Sequence, residues 1–200
     1  MTLASQLRAT LAAAATGGPI LLQGDPRDAD LAPGETFVSA AVLVPIVDRP
    51  DPGLLLTLRP TTMRKHAGQV AFPGGRADPE DADLFETALR EAEEEIGLPR
   101  ELVDIVGTVD RYRTITGYEV TPVVGVIPPD LIFMPQPAEV EDVFEVPLAF
   151  VLEAANHIEH SVEWQGHERH FYEMIWEGRR IWGATAGMIV NLGRRMAYGA

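Results

Sequence analysis

The sequence predicts a single α/β domain, in which strands and helices are mixed along the chain. Segments rich in β-branched and apolar residues, typical of strands, are separated by turns or by segments with helical periodicity. The predicted strands are residues 37–47, 54–59, 69–72, 102–114, 118–127 and 144–146, with a hairpin of 157–165 and 169–176 around Gly166. The chain has 200 residues, of which 46% are hydrophobic, and contains no internal repeat. This size and composition suit one compact domain with a substantial core.

Four helices are predicted, one of which follows the strand at 144–146 and ends at Ala154. Residues 1–34 are interpreted as an N-terminal helix and arm, 35–183 as the core and 184–200 as the C-terminal part, whose closing helix is predicted over 184–198. The first helix carries Leu3, Leu7 and Leu11 at helical spacing, and Arg8 interrupts the apolar run that a signal peptide would need. The central helix is predicted over residues 79–96 and should end at Gly97. Asp78 is its expected N-cap.

Composition and charge exclude several classes of function. The chain contains no cysteine, which excludes a disulfide framework, a thiolate metal site and a cysteine nucleophile, and fits a cytoplasmic location. Its 30 acidic and 16 basic residues give a net charge of −14. A field of this sign repels nucleic acid and anionic membranes, and no segment is apolar for long enough to span a bilayer. An anionic small molecule would therefore need a local basic patch or a bridging cation.

The most informative segment is the end of the central helix, which carries a cluster of glutamates. On a helix with about 100° per residue, Glu91, Glu94 and Glu95 share a face about 100° wide. Glu93 lies on the far side of the helix. An apolar stripe is predicted on one flank of the carboxylate face, and its members are Phe85, Leu89, Ala92 and Ile96.

This arrangement of glutamates carries an electrostatic cost. Like charges at spacings of three and four residues repel, and the helix dipole disfavours negative charge near a C-terminus. A divalent cation would remove the cost, and carboxylate oxygens suit Mg²⁺ or Mn²⁺. Arg90 precedes Glu94 by four residues and is interpreted as an orienting partner for a ligand carboxylate. The alternative is an ordinary solvated acidic face.

The residues before and within this helix resemble the Nudix box. That pattern is a Gly, five residues, Glu, seven residues, and then Arg-Glu-apolar-x-Glu-Glu-x-Gly-apolar. Residues 90–98 match the second half at every fixed position. In the first half, counted from Gly75, Asp81 holds the first acidic position and is followed by eight residues instead of seven, so that Asp78 or Asp83 could take its place. The resemblance implies a Nudix fold, an α/β/α sandwich with a mixed sheet, and hydrolysis of a nucleoside diphosphate linked to another group.

A second motif, residues 55–75, resembles the coenzyme A pyrophosphatase branch of this family, which also tolerates the extra residue. Residues 181–186 resemble the branch as well. The motif holds a basic cluster in an otherwise acidic chain, formed by Arg59, Arg64, Lys65 and His66. A guanidinium suits a pair of phosphate oxygens, and coenzyme A carries a 3′-phosphate besides its pyrophosphate. These four residues are predicted to bind substrate, together with Gly74 and Gly75, where the lack of a side chain permits close approach.

The predicted mechanism is metal-dependent attack of water on the pyrophosphate. Glu91 and Glu95 are the predicted metal ligands, with Glu94 as a further ligand or as the base that orients water. Relatives often place the base on a distant loop, and Glu139 and Glu141 lie on a plausible one. The products would be 4′-phosphopantetheine and adenosine 3′,5′-bisphosphate.

Three alternatives remain open at this point. A Nudix enzyme could act on ADP-ribose or a dinucleotide instead of coenzyme A. A Nudix fold could also serve as a non-catalytic ligand-binding module, although such a module has no need to keep three repelling glutamates. A structural or assembly role has only the hydrophobic residues near the hairpin and C-terminal helix in its favour, and these could form a homodimer interface.

Overall fold

The computed structural model describes residues 1–14, 36–63, 66–164 and 167–198. The helices are α1 (Leu3–Ala14), α2 (Leu84–Ile96), α3 (Leu148–Leu152) and α4 (Gly183–Tyr198). The strands are β1 (Val38–Val47), β2 (Gly53–Leu58), β3 (Val70–Ala71), β4 (Gly74–Arg76), β5 (Asp104–Thr108), β6 (Tyr112–Arg113), β7 (Tyr118–Ile127), β8 (Asp142–Pro147), β9 (Ile158–Trp164), β10 (His167–Trp176) and β11 (Arg179–Trp182). Two short 3-10 turns lie at Arg100–Leu102 and Ala154–Asn156.

The main sheet is mixed, as the resemblance implied. Its central order is β3-β2-β1-β7-β5, in which β1 and β7 run parallel and the other neighbours run antiparallel. Strand β4 pairs with β1, β6 with β7, and β8 with β2. A second, antiparallel sheet has the order β11-β10-β9.

The two faces of the main sheet bury different sets of side chains. Alternate residues of β1 point to opposite sides, since successive side chains of a strand do so. Ala41 and Leu43 pack beneath Ala88 of α2 in one core cluster. Val44 and Ile46 face the larger cluster, which includes residues of α1, α3 and α4. The sheet therefore lies between helical layers, which confirms the predicted α/β/α sandwich.

The start of α2 differs from the prediction. Asp78 is not the N-cap and Pro79 is not the first helical residue, because residues 78–81 form a turn in which the Asp81 amide donates to the Asp78 carbonyl at 3.1 Å. Asp and Pro favour the first two positions of such a turn. Asp83 caps the helix instead, and its carboxylate accepts from the amides of Phe85 and Glu86 at 2.9 Å each.

The predicted apolar stripe of α2 is confirmed for two of its four members. Ala92 and Ile96 are buried, whereas Phe85 is 40% exposed and Leu89 is only half-buried. Ala88, which was not predicted, is buried beside them, and Phe85 lies in the first turn of a helix that starts later than predicted. The predicted end is confirmed, since Gly97 adopts a left-handed conformation with φ of 67° and donates to the helix carbonyls.

Other boundaries moved modestly. The predicted strand over residues 102–114 is divided into the shorter strands β5 and β6. The pairing of β5 with β7 shifts its register between Ile105 and Gly107. Strand β11 was not predicted, while the hairpin of β9 and β10 was, although its turn at Gly166 lies outside the described residues. The closing helix was predicted within one residue of α4. In the described part of the chain, no helix is long and apolar enough to cross a membrane.

Candidate active site

A strand of two glycines and the end of α2 form the centre of the site. A Cβ added to Gly75 would lie 2.6 Å from the carboxylate of Glu91. The amide of Gly74 donates to Glu95 Oε2 at 3.2 Å. A Cβ on Gly74 would lie 2.5 Å from the Ala41 carbonyl oxygen, so this strand has no room for side chains on either residue. The glycines thus let two carboxylates lie directly against the backbone of β4.

Glu95 is the most unusual ionisable group of this site. It is only 3% exposed. Burial raises the pKa of Glu95 to about 8, against the opposing effects of the Gly74 amide and the Arg59 guanidinium. Burial likewise raises the pKa of Glu91, although its contact with Arg90 acts in the opposite direction. Burial therefore disfavours the charged form of both carboxyls.

Arg90 connects the acidic residues around this pair. Its Nε and one terminal nitrogen bind the two oxygens of Asp81 at 2.9 and 3.0 Å. Its other terminal nitrogen donates to Glu91 at 2.9 Å and to Glu94 at 3.2 Å. The structure thus places Arg90 against two predicted functional carboxylates, and its role in orienting them stays a prediction.

Asp81 is the partner that holds Arg90 in place. Its side chain is 5% exposed and accepts hydrogen bonds from the Asp78 amide and the Thr87 hydroxyl, besides those from Arg90. The hydrogen bonds from Arg90 are the main reason that the pKa of Asp81 lies well below its usual range. Asp83 is occupied as the helix cap, and Asp78 reaches Arg90 only at 3.8 Å. Among the three candidates from the sequence, Asp81 therefore has the contacts of an organising residue.

Glu93 and Glu94, which lie between Glu91 and Glu95 in the sequence, are more exposed. Glu94 is 60% exposed in its side chain and contacts Arg90. Glu93 forms an exposed ion pair with Arg100 at 2.7 Å. The predicted helical phase is therefore confirmed for Glu93, which lies away from the glycine strand.

The loop that carries Glu139 and Glu141 is attached to the end of α2. The amides of Met134 and Gln136 donate to the carbonyls of Ile96 and Glu95 at 2.9 and 2.8 Å. Burial is the main cause of the raised pKa of both Glu91 and Glu95, and the negative charge of Glu139 adds to it. The charge of Glu139 therefore acts on both members of the carboxylate pair. Glu141 instead lines a cleft beside Pro60.

The predicted substrate-binding residues differ in their positions relative to the carboxylates. Gly74 and Gly75 form the strand just described. Arg59 approaches Glu95 Oε1 at 3.9 Å, and its buried Nε has no hydrogen-bond partner among the residues that the structure describes. His66 is exposed, and its Nδ1 lies 2.8 Å from Gln69 Oε1. Arg64 and Lys65 lie outside the described residues.

The carboxylates fit a divalent cation by their chemistry. As the side chains stand, no three Asp, Glu or His residues in the described ranges converge closely enough to hold a metal ion. The carboxylate of Glu91 is turned to Arg90 and that of Glu95 to Gly74. However, burial raises the pKa of both carboxyls, an effect that a bound divalent cation would oppose, and their hard oxygen atoms are ligands that Mg²⁺ and Mn²⁺ prefer. Glu91 and Glu95 are therefore suitable candidates for holding such an ion.

Comparison with known proteins identifies the family. Residues 37–165 match the NUDIX domain. The chain is a member of the Nudix family. Nudix hydrolase activity on nucleoside diphosphate derivatives follows from this membership, as does a general requirement for divalent metal ions.

Relatives and solved structures agree with this assignment. The uncharacterised Nudix hydrolase NudL of Cronobacter sakazakii is 49% identical over 76% of this chain and 80% of its own length. The protein of the same name from Escherichia coli O1:K1 is 48% identical with the same coverage. The fold is also similar to that of a MutT/nudix family protein from Enterococcus faecalis, with a TM-score of 0.53, 15% identity and coverage of 86% of this chain and 66% of the other.

The sequence analysis left one feature of this region unnoticed, namely the cleft beside Pro60. Its walls include Pro135, Pro137 and Val140, from a segment interpreted only as a proline-rich loop. The density of proline was an available signal, because proline restricts the backbone and favours a fixed loop.

Proposed function

We propose that this Nudix enzyme hydrolyses the pyrophosphate bond of coenzyme A or a close derivative. The observation that carries the proposal is the position of Arg59, which lies 3.9 Å from the buried Glu95. Arg59 is the first residue of the basic loop, residues 59–66, which holds the basic cluster. Its side chain is 23% exposed and forms no hydrogen bond with the described residues, so the guanidinium retains donors for a phosphate group. The loop belongs to the motif that resembles the coenzyme A pyrophosphatase branch.

In this proposal the glutamates of α2 provide the metal ligands. Glu91 and Glu95 would hold Mg²⁺ or Mn²⁺, and Glu94 would be a further ligand or the base that orients water. The bound ion would neutralise the charge of the pyrophosphate and lower the pKa of water. Arg90 keeps Glu91 and Glu94 in place, and Arg59 binds a phosphate oxygen. A carboxylate accepts a proton from water, the water oxygen bonds to one phosphorus, and the other phosphate departs with the bridging oxygen. The products are 4′-phosphopantetheine and adenosine 3′,5′-bisphosphate.

Glu139 is the stronger candidate for the base among the two loop glutamates, because its charge acts on both Glu91 and Glu95. Glu139→Gln should lower kcat by about 100-fold or more, as expected for loss of a general base. Glu93→Gln is the control, because Glu93 is an exposed glutamate of α2 that pairs with Arg100, and it should retain the kcat of the wild type. Steady-state kinetics with coenzyme A compares them. Normal turnover by Glu139→Gln would exclude it as the base and leave Glu94 as the candidate.

The substrate is tested by product analysis with Mg²⁺ or Mn²⁺. We expect coenzyme A to give both predicted products, and dephospho-coenzyme A to react with a lower kcat/KM, by about tenfold, because it lacks the 3′-phosphate that the basic loop would bind. Glu95→Gln serves as the inactive control. Hydrolysis of ADP-ribose or a dinucleotide without hydrolysis of coenzyme A would assign the site to the alternative substrate. Binding of these compounds without any turnover would indicate a non-catalytic module.

Two further expectations stay predictions from the sequence. One is a cytoplasmic location, and the other is a homodimer formed by exposed hydrophobic residues. In the structure, Ile158 and Val162 of β9 are each 47% exposed, and Ile175 of β10 is 55% exposed.

A further inference from the structure

A cleft opens beside the carboxylate site, at the place where β2 and β8 end their pairing. It has a volume of about 380 Å³, which is within the usual range for small-molecule sites, and is lined by Pro60, Pro135, Pro137, Val140 and Glu141. One wall begins next to Arg59, and the other flanks Gln136, whose amide binds the Glu95 carbonyl. Both walls of the cleft are therefore attached to residues that contact Glu95.

The walls of this cleft are held by backbone hydrogen bonds. The Glu141 amide donates to the Leu58 carbonyl at 2.8 Å, which closes the end of the β2–β8 pairing. The Val140 amide donates to the Gln136 carbonyl at 2.8 Å, and the Val140 side chain is buried. Three prolines further restrict the backbone. The cleft is thus formed in advance, which reduces the conformational cost of binding a flexible ligand.

The chemistry of the lining distinguishes between the two halves of the proposed substrate. The adenosine half carries a 3′-phosphate, which a carboxylate in the cleft would repel, and its purine ring is commonly held by aromatic stacking. Among the residues that the structure describes, the lining contains Glu141 as its charged residue and no aromatic ring. The pantetheine half is aliphatic and uncharged, and its two amide N–H groups can donate hydrogen bonds to a carboxylate.

We propose that this cleft binds the pantetheine arm, with Glu141 as an acceptor for an amide N–H. This inference rests on the proposed coenzyme A function and deepens it, since it assigns the two ends of the substrate to different sides of the carboxylate site. The arm lies against the prolines, and the adenosine 3′,5′-bisphosphate half extends towards the basic loop.

The test measures inhibition of coenzyme A hydrolysis by each product separately, using the full chain. Pro137→Trp adds bulk at an exposed position of the cleft. We expect it to raise the inhibition constant of 4′-phosphopantetheine by about tenfold or more, and to leave that of adenosine 3′,5′-bisphosphate within about twofold. Pro129→Trp, an exposed proline outside the lining, is the matched control and should change neither constant.

Glu141→Leu supplies a second variant that does not depend on tolerance of a tryptophan. It should weaken inhibition by 4′-phosphopantetheine, because the acceptor is lost and no positive charge is introduced. Tighter inhibition by adenosine 3′,5′-bisphosphate together with unchanged inhibition by 4′-phosphopantetheine would place the adenosine half in the cleft and overturn the assignment. Unchanged constants in both variants would also overturn it, whereas the absence of coenzyme A hydrolysis by the wild type would refute the proposed function itself.

Discussion

Replacing Glu95 with Gln is expected to lower kcat by on the order of 1000-fold and to make the protein more stable at alkaline pH when EDTA is present. The loss of activity follows from removing a predicted metal ligand. The gain in stability follows from removing a carboxylate that is 3% exposed and must lose its proton inside the protein. Opposite effects on activity and stability distinguish a functional residue from a structural one.

The sign of the pH dependence follows from the raised pKa. The carboxyl of Glu95 has a pKa of about 8 in the folded protein, compared with 4.5 for an ordinary glutamate. Between these values the folded state keeps a proton that the unfolded state has lost, so the free energy of unfolding falls as pH rises, by at most about 1.4 kcal/mol per pH unit. The contribution is fully present below the unfolded pKa and is lost as pH approaches 8.

Denaturant unfolding in EDTA from pH 5 to pH 8.5 measures this difference. The wild type should lose stability relative to Glu95→Gln across this interval, and the variant should be the more stable protein at pH 8.5. Glu93→Gln is the matched control, because Glu93 lies on the same helix in an exposed pair with Arg100. It should follow the wild type in stability and retain its kcat. If the free energy of unfolding changed equally with pH in the wild type and in Glu95→Gln, Glu95 would not have a raised pKa in the folded protein.

Replacing Asp81 with Ala is expected to destabilise the protein by about 3–5 kcal/mol. The variant leaves Arg90 without its bidentate partner, although the Arg90 side chain is only 15% exposed. Because the same guanidinium contacts Glu91 and Glu94, kcat should also fall at temperatures where the variant is fully folded. Denaturant unfolding at neutral pH and steady-state kinetics measure the two effects.

Two neighbouring aspartates provide controls for that variant. Asp78→Ala should cost less than about 1 kcal/mol, because its side chain is 56% exposed and meets Arg90 only at 3.8 Å. Asp83→Ala removes the N-cap of α2 and should cost about 1 kcal/mol without a specific loss of kcat. Equal destabilisation by all three variants would contradict the organising role of Asp81.

The sequence predicted the parts of the fold that depend on local patterns. Strand β7 and helix α4 have strong apolar patterns, and their predicted bounds differ from those in the structure by at most one residue. Gly97 marked the end of α2, because glycine readily adopts the positive φ that ends a helix. The start of α2 was wrong because three aspartates and a proline fit either a cap or a turn. In the structure the turn is held by the hydrogen bonds that Asp81 accepts from the Asp78 amide, from Thr87 and from Arg90.

The candidate site shows the same division. Helical periodicity placed Glu91 and Glu95 on one face and Glu93 on the other, in agreement with their contacts. It could not show that Glu95 is buried while Glu94 is 60% exposed, because this depends on β4 and the loop that lie over the helix. The approach of Arg59 to Glu95 and the cleft beside Pro60 likewise join segments that are distant in sequence.

Titration of the protein with Mn²⁺, followed by electron paramagnetic resonance, tests most directly whether Glu91 and Glu95 hold a divalent cation. We expect the wild type and Glu93→Gln to bind Mn²⁺ with the same affinity, and Glu91→Gln and Glu95→Gln to bind it at least about tenfold more weakly. Equal affinity in all four proteins would show that the ion does not depend on these carboxylates, and would contradict the metal-dependent mechanism proposed for this Nudix enzyme.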